Sequence, residues 1–127
     1  MSQKYKEVNK KLVVQALIDK LEKENQAVEI KTSVVEGFGK PESIFDKDHD
    51  KLGYTPDIIS EADGRKDVYE VELDLEKEQP LEKWRLFYIF TKESNGRFNV
   101  VVPKEDLEHT KLMLREHNIF AEIIYFS

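Results

Sequence analysis

Residues 54–76 constrain the fold most, because they predict a β-hairpin with a strongly specified turn. One strand is predicted over residues 55–62 and the other over residues 66–75, with Asp63-Gly64 between them. Asp-Gly between two β-rich runs is the strongest short-range hairpin signal that a sequence gives. The chain is therefore expected to contain two neighbouring antiparallel strands.

Acidic residues mark one end of this hairpin. In the second strand, apolar side chains point one way and acidic ones the other, because successive side chains alternate across a strand. Asp57 opens the first strand directly after Pro56. Four carboxylates are therefore expected to gather at one end of two neighbouring strands: Asp57, Glu70, Glu72 and Asp74.

Two interpretations of this acidic group stay open at the level of sequence. Carboxylates roughly 7 Å apart repel each other, and one takes up a proton unless a cation or a basic side chain lies among them. A hard divalent ion such as Mg²⁺ is the usual partner of such a group. The alternative is a strand that shows a charged, solvated face, which is common in antiparallel sheets.

Length and composition limit the class of protein. With 127 residues, 39% of them apolar, the chain is expected to form one folded domain. It has no cysteine, which excludes disulfides, thiolate chemistry and cysteine-based zinc sites. We find no apolar run of membrane-spanning length and no signal peptide at the N-terminus, so we expect a cytoplasmic location.

The net charge of −6 comes from the middle of the chain. Residues 36–82 hold fifteen acidic and six basic side chains, whereas the flanking segments are slightly basic. An acidic protein gains no general electrostatic attraction to nucleic acid. The charge therefore argues against tight DNA binding.

The first half of the chain predicts a helix, a strand and a loop. Residues 3–25 carry a wide apolar stripe at helical spacing, with lysines, Lys10 among them, on the outer face. Residues 27–38 are predicted as a strand from their β-branched content, and residues 39–53 as a loop. Four loop side chains are weaker metal candidates, with a spacing unlike that of a calcium loop: Asp46, Asp48, His49 and Asp50.

The second half predicts alternating helices and strands. Residues 78–93 form a helix that is apolar nearly all round, with Pro80 in its first turn. A strand follows over residues 97–102, then a helix from Pro103, and a last strand over residues 119–126. The apolar helix predicts a homodimer, through that helix or through the last strand, because large apolar patches usually mark interfaces.

The fold class that follows is α/β with a mixed sheet, in the order α-β-β-β-α-β-α-β. Helices between the last three strands favour parallel neighbours with right-handed crossovers, and the hairpin adds an antiparallel pair. Helices are expected on both faces of the sheet. All of this forms a single domain over residues 1–127.

The element order and the acidic motif resemble the PD-(D/E)xK nuclease superfamily, which includes restriction endonucleases, Holliday junction resolvases and many repair nucleases. Pro56-Asp57 and, thirteen positions on, Glu70-Val71-Glu72 carry the resemblance. It implies a restriction endonuclease-like α-β-β-β-α-β core over residues 3–102, with a C-terminal α-β extension.

The chain departs from the family motif at one position, where Glu72 replaces the lysine that helps to position or activate water. A few active restriction enzymes resemble this chain in that respect. Other members supply a lysine from the following helix, and Lys83 is the candidate here. Families also often place a glutamate on the first helix, for which Glu7 is the candidate.

The resemblance implies a metal-dependent DNA endonuclease with Asp57, Glu70 and Glu72 as catalytic residues. Asp57 and Glu70 would hold Mg²⁺ or Mn²⁺, and Glu72 would act as a further ligand or as a general base. The alternative is a catalytically inactive nuclease-fold protein that binds a protein or nucleic acid. The acidic charge, the replaced lysine and the apolar helix favour this alternative.

Overall fold

The predicted hairpin lies within a five-stranded mixed sheet in the computed structural model, which describes residues 3–46 and 53–127. The strands are β1 (Glu29–Lys31), β2 (Ile58–Ala62), β3 (Arg65–Val71), β4 (Phe98–Pro103) and β5 (Glu122–Phe126). The helices are α1 (Gln3–Glu24), α2 (Leu75–Glu78), α3 (Leu81–Glu93) and α4 (Leu107–Glu116), with a 3₁₀ turn at Lys104–Asp106.

The strands lie in the sheet in chain order, from β1 to β5. The β1–β2 and β2–β3 pairs are antiparallel, and the β3–β4 and β4–β5 pairs are parallel. Asp63 and Gly64 form the hairpin turn with φ of 54° and 80°, as the Asp-Gly dipeptide predicts. The register pairs Ile58 with Tyr69, so Asp57 and Glu70 lie together just beyond that pair.

Two apolar layers hold the helices against opposite faces of the sheet. On one face, α1 contributes Val14, Leu17 and Ile18 to a core that includes sheet residues such as Val71 and Val101. On the other face, α3 and α4 cover a core formed by these buried residues: Ile59, Val68, Trp84, Phe87, Phe98, Val100, Val102 and Leu114. The predicted mixed sheet with helices on both faces is therefore confirmed. Within the described ranges, no helix is both long enough and apolar enough to cross a membrane.

Four of the five predicted strands are shorter in the structure, since β2 and β5 also begin three residues later than predicted, at Ile58 and Glu122. The strand predicted over residues 27–38 forms only over Glu29–Lys31, since Thr32 Oγ1 accepts a hydrogen bond from the Val34 amide and bends the chain. The strand predicted over residues 66–75 ends at Val71, and the chain then leaves the sheet and enters α2, where Leu75 is buried. The helix predicted over residues 78–93 is confirmed as α3 but begins at Leu81, and the unpredicted one-turn α2 precedes it, with Gln79 between them at a φ of 41°.

The turn after α3 docks that helix against the hairpin. Ser94 Oγ accepts a hydrogen bond from the Lys66 amide at 2.9 Å, and the Arg97 amide donates to Asp67 Oδ1 at 2.7 Å. Gly96 lies so close to β3 that a Cβ atom placed on it would clash with the carbonyl of Lys66. Only glycine fits this approach, which sets where α3 lies along β3.

We predict that Gly96→Ala lowers the free energy of unfolding by about 1–3 kcal/mol, the usual cost of overpacking. The added methyl meets backbone rather than a flexible side chain, so the turn after α3 must move away from β3. Urea denaturation measures the effect. Gly39→Ala is the control, because the nearest atom to its Cβ is Lys31 Cγ at 4.0 Å. Equal stability of the two variants would contradict the prediction.

Candidate functional site

Three of the four predicted carboxylates converge, and all three are buried. Asp57 lies immediately before β2, Glu70 lies within β3, and Glu72 is the first residue after β3. Their exposed fractions are 8%, 3% and 2%. The interpretation as a solvated strand face is therefore wrong for Glu70 and Glu72.

Asp57 and Glu70 hold each other in place through reciprocal hydrogen bonds. The Asp57 amide donates to Glu70 Oε1 at 2.8 Å, and the Val71 amide donates to Asp57 Oδ2 at 2.8 Å. The Glu70 carboxylate thus accepts from the Asp57 amide, and the Asp57 carboxylate accepts from the amide that follows Glu70. Both bonds lie just beyond the last β2–β3 residue pair. The end of the hairpin therefore fixes the position of both side chains.

Lys83, from the first turn of α3, bridges two of the carboxylates. Its Nζ lies 2.8 Å from Glu70 Oε2 and 2.9 Å from Glu72 Oε1. The side chain of Lys83 is 16% exposed. The lysine that was the candidate from the following helix, Lys83, thus lies in the acidic cluster.

Trp84, the next residue of α3, contacts Glu72 from the interior. Its indole Nε1–H donates to Glu72 Oε2 at 3.1 Å, and the ring is completely buried. Both oxygens of Glu72 are therefore held by groups in the first turn of the same helix.

Lys10 of α1 approaches the cluster from the other face of the sheet. Its Nζ lies 3.4 Å from Asp57 Oδ1 and 3.3 Å from Asp57 Oδ2, and 32% of its side chain is exposed. The prediction that Lys10 lies on the outer face of the helix is wrong. Lys10 lies one turn before the buried Val14 and continues the buried stripe.

Burial controls the protonation of this cluster. It raises the pKa of Glu70 to about 8, with the negative charge of Asp57 as the second cause and Lys83 opposing. Burial also raises the pKa of Glu72, again against the effect of Lys83. The pKa of Lys83 is raised, because attraction to Glu70 and Glu72 outweighs its own burial. Lys83 is accordingly a charged ammonium at neutral pH.

The remaining candidates lie elsewhere. Asp74 is at the N-cap position of α2, beyond the end of β3, and not on the strand as predicted. Asp46 lines a groove beside α3 with Phe45 and Ile89. The other loop candidates, Asp48, His49 and Asp50, lie outside the described residues, as does the side chain of Glu7.

Sequence reasoning missed Lys10 and Trp84 as members of the cluster. Lys10 had a usable signal, because it stands four residues before Val14 and so on the same helical face. Trp84 had a weaker one: a buried indole N–H needs an acceptor, and Glu72 is only twelve residues away. In both cases the partner is set by tertiary packing.

Carboxylate oxygens are the donors that Mg²⁺ and Mn²⁺ prefer. No group of three or more acidic, histidine or cysteine side chains in the described ranges is arranged to hold a metal ion. Mg²⁺ commonly takes only one or two carboxylates and completes its shell with water and substrate oxygens. Asp57 and Glu70 fit that smaller requirement, since each has one oxygen that no backbone amide uses in the bonds above.

Comparison of the chain with protein-family models, with curated proteins and with solved structures finds no significant match.

We predict that the metal-free protein becomes more stable as the pH falls from 8 to 5. The folded state holds a proton on Glu70 below a pKa of about 8, whereas an unshifted glutamate releases it near 4.5. Between these values the folded state binds more protons than the unfolded state, so acidification favours folding. Urea denaturation at several pH values measures the slope.

Glu70→Gln is the control for this pH dependence, because it removes the titrating carboxyl and leaves His109 and His117 in place. The slope between pH 5 and 8 should be smaller in this variant. A parent protein whose stability rises with pH across this window would contradict the prediction.

Proposed function

We propose that this chain is a metal-dependent DNA endonuclease of the restriction endonuclease-like kind. One observation carries the proposal: Lys83 of α3 lies within ion-pair distance of Glu70 and Glu72. The sequence lacks the motif lysine on the strand, and the helix supplies an ammonium group to the same carboxylates.

The order of elements supports the same proposal. The chain up to β4 runs α-β-β-β-α-β, apart from the one-turn α2, with Asp57 immediately before β2 and Glu70 in the neighbouring β3. This is the arrangement that the PD-(D/E)xK resemblance implies. The C-terminal α4 and β5 then form the proposed extension.

Asp57 and Glu70 would hold Mg²⁺ or Mn²⁺ through Oδ1 and Oε2. Each of these oxygens contacts an ammonium group, from Lys10 and Lys83 respectively. A carboxylate oxygen has two lone pairs and can accept a second partner. When bound, the metal supplies Lewis-acid polarisation of the phosphate and of an attacking water.

The protein's own residues orient the reacting groups. The Lys83 ammonium has three N–H donors, and Glu70 and Glu72 accept from it. The remaining donor suits a phosphate oxygen or the attacking water. Lys10 neutralises Asp57 and, being about one-third exposed, suits a neighbouring phosphate of the substrate.

We also propose that the protein is a homodimer joined through β5. Among the strands in the described ranges, β5 is at one edge of the sheet and pairs with β4 alone. It contains neither lysine nor proline, the residues that commonly protect edges. The other edge, β1, has three residues and is partly covered, because the Thr32 amide donates to the Gly39 carbonyl. The apolar face of α3 is the weaker candidate, since Trp84 and Phe87 are buried inside the monomer.

We predict that the purified protein cleaves DNA in the presence of Mg²⁺ or Mn²⁺, tested on single-stranded, duplex and branched substrates. Lys83→Met should lower kcat by about 10²-fold or more, as loss of a preorganised charge does. Asp57→Asn should abolish cleavage and weaken cation binding measured by calorimetry. Lys111→Met is the matched control, because that exposed lysine of α4 pairs only with its helical neighbour Glu108 in the contacts described.

The alternative function predicts the opposite result. A catalytically inactive nuclease-fold protein would show no cleavage with either ion, and its melting temperature would not respond to millimolar Mg²⁺ or Mn²⁺. That pair of results would replace the endonuclease proposal.

We predict a dimer at micromolar concentration by analytical ultracentrifugation. Tyr125→Lys should shift it to monomer, because Tyr125 lies in β5, is 54% exposed, and a lysine there protects the edge. Leu12→Lys, on the 65% exposed Leu12 of α1, should leave the assembly unchanged. A monomeric parent protein would contradict the proposed interface.

A further inference from the structure

We infer that Glu72 and Trp84 are positioning residues that hold Lys83 over Glu70, and that Glu72 is not a metal ligand. The inference rests on the proposed function and extends it, because it distinguishes the residues that position Lys83 from those that would bind the metal. The role differs from the one that the family resemblance implies for Glu72, which is that of a metal ligand or a general base.

The hydrogen bonds of Glu72 differ from those of the other two carboxylates. Asp57 and Glu70 each accept a backbone amide of the hairpin with one oxygen, and their other oxygens contact Lys10 and Lys83. Lys10 also lies 3.3 Å from the amide-bonded Oδ2 of Asp57. Glu72 gives Oε1 to Lys83 and Oε2 to Trp84, so both its oxygens contact α3. With 2% exposure, Glu72 is as buried as Glu70.

The backbone of Glu72 is fixed as firmly as its side chain. Its amide donates to the Val101 carbonyl of β4 at 2.9 Å, which continues the parallel ladder beyond β3. A lysine has a long flexible stem, whereas an indole is rigid and donates through one N–H only. The Trp84 ring therefore holds the Glu72 carboxylate in one orientation, and that carboxylate holds the Lys83 ammonium.

Adjacent residues of a helix point about 100° apart, given 3.6 residues per turn. Glu72 nevertheless contacts both Lys83 and Trp84 with one carboxylate. This requires that the carboxylate lie between the two side chains, where it fixes the rotation of α3 about its axis. The Lys83 ammonium is thereby brought to the 2.8 Å contact with Glu70 Oε2.

The test measures how accessible the Lys83 amine is, in the metal-free full-length protein. Trace acylation with an amine-reactive ester, read by mass spectrometry, gives the labelling of Lys83 relative to Lys111, which is 47% exposed. Trp84→Phe keeps every charge and removes the N–H donor. It should raise the relative labelling of Lys83 about tenfold, the factor for one lost hydrogen bond to a charged group.

Phe87→Leu is the matched control, because Phe87 is a buried aromatic residue of the same helix that packs edge-on against Phe98. It loosens the packing without touching Glu72, so the relative labelling of Lys83 should stay at the parent value. Glu72→Gln is a second variant of nearly equal volume, and it should raise the labelling as Trp84→Phe does. An equal labelling ratio in the parent, Trp84→Phe and Glu72→Gln would overturn the inference, as would an equal rise in Phe87→Leu.

Metal response and kinetics separate positioning from ligation. In Trp84→Phe, stabilisation by Mg²⁺, read as the shift in melting temperature, should match that of the parent, whereas Glu70→Gln should abolish it. Cleavage by Trp84→Phe should show a lower kcat with an unchanged KM. Loss of the Mg²⁺ response in Trp84→Phe would overturn the inference. If the parent cleaves no DNA but Trp84→Phe exposes Lys83, the endonuclease proposal fails and the positioning of Lys83 is supported.

Discussion

The burial of three carboxylates in one place depends on the two ammonium groups among them. An isolated buried carboxylate would take up a proton or leave the interior, because the charged form loses its hydration. Lys83 and Lys10 offset that cost from opposite faces of the sheet. The end of the hairpin, the first turn of α3 and the buried stripe of α1 therefore meet at one electrostatic cluster.

The charges that stabilise this cluster would also affect the proposed binding of a metal ion. A divalent ion at Asp57 and Glu70 would share those oxygens with Lys10 and Lys83, and the positive charge of the two lysines would oppose its binding. Burial already raises the pKa of Glu70 to about 8, which shows how incompletely Lys83 compensates for the lost hydration and the charge of Asp57. Such shifted groups are typical of functional sites, where a cation can supply the missing compensation.

The sequence predicted the mixed sheet and much of the cluster because local signals specify them. Asp63-Gly64 specifies the turn, and the separation of thirteen positions from Asp57 to Glu70 then brings those two side chains together. The strand predicted to Leu75 was too long. Apolar and acidic residues continue to alternate in the sequence past Val71, although the chain leaves the sheet there. Lys10 could not be paired with Asp57 from spacing alone, since 47 residues separate them and only the packing of α1 brings them together.

The hairpin register limits how the length of this chain can vary. Glu70 and Glu72 face α3 because they share a parity along β3, while Tyr69 and Val71 pack towards α1. One residue inserted or deleted within β3 would exchange the two sets of side chains. The carboxylates would then point into the apolar layer under α1, and a valine would point towards Lys83. Single-residue insertions and deletions should therefore be tolerated in the surface turn after α4, but not between Arg65 and Glu72.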